Sequence, residues 1–159
     1  MRGREMSIGE LVTLAHGFLG VLLIVGTPWA MAELLALSSP EGVKRLKLVT
    51  AGLAVIAFLV SIFLAAPSYL VYYPPAKEVI LKSPTPWAHT VLMEIKEHVG
   101  LGGPLVLFVV AFLVWYYNNA LIENKDLRKL LFALLAVSLV VAFYEIALGT
   151  YIARIAPVR

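Results

Sequence analysis

The chain carries three histidines, His16, His89 and His98, and one carboxyl deep in an apolar run, Glu145. Ionisable side chains are costly to keep inside a bilayer, so their first reading there is functional. His16 is followed by Gly20 and His98 by Gly102, each four residues on. On a helix, positions i and i+4 share a face one turn apart. Glycine costs a helix roughly 1 kcal/mol against alanine, which makes sense where something flat must approach the backbone. Two helices presenting His-x-x-x-Gly at one depth suit one haem b between them. His16 and His98 would be the axial ligands, and Gly20 and Gly102 would make room for the porphyrin edge. Filling both axial positions with histidine favours electron transfer over oxygen chemistry.

His89 and His98 are nine residues apart, roughly 900° around a helix, so they fall on opposite faces. His98 is nearer the apolar segment and is the expected ligand. His89, beside Trp87, is expected at the surface and serves as the substitute ligand. Glu145 has several uses: orienting a ligand histidine, accepting a proton from a quinol, or ending a proton path near Tyr144 and Tyr151. Ser138, Val141, Glu145 and Gly149 form a small, polar face for such a site. Each residue also has a plainer use. His16 suits a hydrogen bond between helices, His98 an interfacial position, Glu145 interhelical adhesion, and the glycines close packing. Glu94, Glu97 and His98 lack the paired Glu-x-x-His spacing of a di-iron site. With no cysteine, disulfides, thiolate chemistry and iron–sulfur ligation are excluded.

The elements that hold these residues follow from hydropathy. Of 159 residues, 61% are hydrophobic and 14% charged, against about 25% charged in soluble domains. A hydrocarbon core of about 30 Å needs about 20 apolar residues of helix. Residues 9–35, 46–66, 99–122 and 129–152 qualify as spans. Alternation typical of barrel strands is not seen. The fold expected is all-α: one transmembrane domain, 1–159, forming a four-helix bundle. Residues 67–98 form an interfacial connection, ending in an amphipathic helix, Pro86 to His98, before the third span. Arg2 and Arg4 precede the first apolar run as in a signal peptide, but the run continues too long and lacks a cleavage site.

Six Lys/Arg crowd the short segments 38–47 and 118–129, and seven are spread over the rest. The positive-inside rule weighs short loops most. It puts those two loops in the cytoplasm and both termini outside, in a multi-pass protein of the cell membrane. The net charge of +3 contains no run dense enough to track a nucleic acid.

With His16 and Gly20, His98 and Gly102, and four apolar segments, the layout resembles the small four-helix membrane b-type cytochromes. These hold haem between helices and exchange electrons with quinones. The resemblance implies His16 and His98 as ligands and quinone as a second cofactor. Many such cytochromes hold two haems on four histidines. Here the second and fourth spans have no histidine, which limits the chain to one haem. The expected function is a haem b protein carrying electrons near the outer face, with a quinone or a peripheral redox protein as partner. The alternatives are a non-catalytic structural subunit among other membrane subunits, and a small transporter coupled through Glu33 or Glu145. Small-residue packing would also support a homo-oligomer.

Overall fold

The structure, a computed structural model, describes residues 6–156. Arg2, Arg4 and the outermost ends of the 1–159 domain lie outside the described residues. The described residues are helical, with no strand among them. Four helical stretches are long and apolar enough to cross a membrane: Ile8–Leu35, Pro40–Tyr72, Ala88–Tyr117 and Lys125–Ile155.

Their ends are set by local chemistry. Helix α1 (Ile8–Leu35) starts in a capping box, Ser7 Oγ accepting from Glu10 N at 3.1 Å and Glu10 Oε2 from Ser7 N at 2.9 Å. Helix α2 (Pro40–Phe58) has Ser39 as its cap and Pro40 in its first turn, where the missing N–H costs nothing. The second span then widens into two π-helical segments, Leu59–Ala65 and Ser68–Tyr72. They flank Pro67, which lacks a donor and crowds the carbonyl four residues back. Wide turns relieve that crowding inside a membrane helix.

Past Tyr73, helix α3 (Pro74–Leu81) forms a cap over this end of the bundle. The third span opens with a third π-helical segment, Ala88–Met93, followed by α4 (Glu94–Gly100) and α5 (Gly102–Tyr117). Residues 86–98 thus run straight into the third span. Asn118, at φ 47° and ψ −127°, breaks α5 with a positive φ, a backbone conformation uncommon outside glycine. A single turn, α6 (Ala120–Glu123), leads to α7 (Lys125–Ile155), capped by Asn124 on Leu127 N.

Helix α1 packs against α2 and α7, and α5 packs against the same two, so α1 and α5 stand diagonally across the bundle. Leu23, Leu34, Leu46, Leu53, Leu107, Val110, Leu131 and Leu135 fill the centre. Tyr73, Ala76, Ile80, Ala88, Ile152 and Ala156 form a second cluster under the cap. Leu14, Phe18, Val25, Leu48, Phe63, Leu105, Phe112 and Val140 face outward and exposed. Water would penalise such a surface and lipid does not, so the chain is a multi-pass membrane protein. Its basic end holds the turns 36–39 and 118–124. Its connection end holds residues 73–87 and both described chain ends.

Candidate functional site

Three spans send a titratable group to one level near the connection end. Helix α1 carries His16, α4 carries Lys96 and α7 carries Glu145. Lys96 Nζ lies 3.3 Å from Glu145 Oε2, with side chains only 18% and 20% exposed. Two glycines make this contact possible. A Cβ at Gly100, one turn beyond Lys96, would stand 2.8 Å from Glu145 Oε2 and 3.1 Å from its Cδ. A Cβ at Gly149, one turn beyond Glu145, would meet Lys96 Cε at 3.4 Å. The carboxyl therefore lies on the backbone of α4, and the lysine stem lies on the backbone of α7. Any larger residue at Gly100 would push the carboxyl away.

His16 completes the group, with the Val60 backbone and Lys96 as its electrostatic neighbours. Its Nδ1 is buried without a hydrogen-bond partner, as is Glu145 Oε1. Thr13 and Ser68 hydroxyls and Glu97 Oε1 share that condition. Buried polar atoms are nearly always paired, so such a concentration calls for an explanation. Ser138, two turns deeper on α7, also holds a buried, unpaired hydroxyl.

A second polar line runs from the cap toward this group. Tyr73 Oη and His89 Nδ1 are 3.1 Å apart, both buried. Tyr69 stacks on Tyr73 at 5.5 Å, and its hydroxyl faces the Glu97 carboxyl. Burial, with the Tyr69, Glu97 and Glu94 charges adding to it, pushes the Tyr73 phenol up to about 12. Tyr73 therefore stays protonated at neutral pH.

Sequence reasoning placed His89 at the surface, and the structure buries it. The chain turns back at Ser83–Pro86, which tucks Ala88 and His89 under α3. Trp87 stacks instead on Tyr151, at 5.8 Å. His98 is the exposed one. Its Nδ1 donates to Glu94 O at 2.6 Å. Because Lys96 faces Glu145, His98 lies about 200° around the helix and faces away. Gly102 follows it outward, with nothing near its missing Cβ, whereas the Gly20 face meets Ile146 Cδ1 at 3.7 Å.

The structure therefore does not bring His16 and His98 onto one face. Ile146 fills one side, the Lys96–Glu145 pair takes the level between, and His98 points out. Among the described residues, no group of three or more His, Cys, Asp or Glu is arranged to hold a metal ion. The residue that sequence reasoning missed is Lys96. The one signal for it in the sequence is a spacing: Lys96 with Gly100 and Glu145 with Gly149 repeat the i, i+4 glycine spacing of the histidines. No family model matches the chain, and neither a curated protein nor a solved structure matches it.

Proposed function

We propose that the chain is a proton-conducting membrane protein whose working groups are Glu145, Lys96 and His16. The observation that carries this reading is the ion pair seated on two glycines inside an apolar bundle. Buried ion pairs stabilise little. Well-packed apolar replacements are often neutral or better, so stability alone gives no reason to keep this one. Ionisable groups at membrane depth mark ion and proton pathways. Here they come from three different spans and leave acceptor and donor atoms unpaired. His89, Tyr73, Tyr69 and Glu97 supply exchangeable protons between the cap and the pair. In the cell membrane, with the connection end outward, this line leads from the outer face into the bundle.

The test is proton flux into liposomes holding the purified chain, driven by a potassium gradient with valinomycin and read by an internal pH dye. Glu145→Gln keeps the shape of the site and removes its titration. Flux should fall by about a hundredfold or more, the range typical of losing one positioned acid–base group. Equal flux through wild type and variant would sink the proposal.

A second reading keeps a haem, on the outward face. The Nδ1–H bond of His98 to Glu94 O fixes its Nε2 as the open lone pair, the condition of a metal-ligating histidine. The other axial ligand would then come from a partner chain, making this the haem-bearing subunit of a larger complex. A reduced spectrum of the native complex with narrow b-type bands that His98→Ala removes would support it. A colourless complex would exclude it.

A further inference from the structure

We propose that a cleft at the basic end binds the phosphate headgroup of an anionic membrane lipid. The cleft, of about 350 Å³, lies between the last turn of α1 and the first turns of α7. Leu34, Leu35 and Phe132 line one part of it, and Lys125, Arg128 and Lys129 the other. That volume is in the range of small-ligand sites.

The fold accounts for these three cations only in part. Arg128 donates Nη1 to Leu37 O at 2.8 Å, which fixes the guanidinium at the cleft wall with only one of its donors used. Lys129 pairs with Asp126 at 2.8 Å, but the two side chains are 78% and 89% exposed. A pair so exposed is worth little and re-forms easily with another anion. The Lys125 ammonium has no partner among the described residues. The carboxylates nearest in sequence are Asp126 and the exposed Glu123, two against three cations, so a net positive charge remains. The start of a long helix adds to it.

Position decides between a lipid and a soluble anion. The cleft sits at the end of two spans, where headgroups lie. Its apolar part continues into the outward-facing Leu35 and Leu130, 71% and 51% exposed. A headgroup on the cations would lay its acyl chain along those leucines. Basic pockets between spans are a recurrent form of anionic-lipid site.

The test is native mass spectrometry of the full chain in detergent, titrated with phosphatidylglycerol, phosphatidylcholine or inorganic phosphate. Wild type should retain phosphatidylglycerol in preference to phosphatidylcholine. Lys125→Gln with Lys129→Gln should weaken retention on the order of tenfold or more, from the loss of two basic contacts. Lys125→Gln alone, whose ammonium holds nothing in the fold, should weaken it by about fivefold. The control Lys77→Gln with Lys82→Gln, at the other end, should leave it unchanged. Equal retention of the two lipids, equal loss in the control, or displacement of lipid by equimolar inorganic phosphate would each overturn the assignment.

Discussion

At the residue scale, the cost of the site lies in separating Lys96 from Glu145. Lys96→Met leaves a half-buried carboxyl facing apolar neighbours. It should destabilise the detergent-solubilised protein by roughly 3 kcal/mol, measured as the shift of its unfolding transition in sodium dodecyl sulfate. Adding Glu145→Leu to that variant should restore most of the loss, because the double change removes both charges. A double variant as unstable as the single one would show that the pair is a structural anchor. Tyr73 makes a pH prediction. Its ordinary value of 10.0 rises to about 12 on folding. The folded state then holds that proton more tightly than the unfolded state does. Its stabilising contribution is complete below pH 10.0 and is lost as pH rises toward about 12. Tyr73→Phe should flatten that alkaline decline of the unfolding midpoint, and a decline as steep as in wild type would assign it elsewhere. Glu145 was legible in the sequence as a carboxyl amid apolar residues. Lys96 was obscured because residues 67–98 read as an interfacial connection, where a lysine needs no account.

At the element scale, the four apolar segments declared themselves through length and composition, which lipid imposes on any helical span. Rotation did not. The angle between His89 and His98 holds for an evenly wound helix, yet Ala88–Met93 is wider than an α-helix, and the turn at Ser83–Pro86 decides which side enters the bundle. No periodicity in hydropathy announces a π-helical turn, and proline at position 67 announces only a disturbance. Pro67→Ala removes that disturbance. Residues 59–72 should then tighten toward regular α-helix, turning Tyr69 and Tyr73 together relative to the bundle and away from Glu97 and His89. The near-ultraviolet circular dichroism of the tyrosines should fall accordingly. An unchanged signal would assign the wide turns to packing around Val60 and His16.

At the scale of the whole molecule, the titratable groups inside the bundle, His16, Lys96 and Glu145, lie toward the connection end, and the centre of the bundle is a packed layer rich in leucine and valine. Helix α7 has 31 residues, about 46 Å at 1.5 Å per residue, and so overhangs a hydrocarbon layer of about 30 Å by roughly 8 Å at each end. Glu145 is ten residues from Ile155, roughly 15 Å along the axis. Its carboxyl is therefore only about 7 Å inside the hydrocarbon, near a quarter of the thickness over which a membrane potential drops. A full crossing is worth about 2.3 kcal/mol per charge at 100 mV, so charging Glu145 from the near side involves roughly 0.6 kcal/mol. Voltage changes the occupancy of such a site by less than threefold, whereas a tenfold change in proton concentration on the near side acts on it in full. Under the proposed proton conduction, the depth of this one carboxyl would make proton delivery to the site follow local acidity far more than the electrical state of the membrane around it.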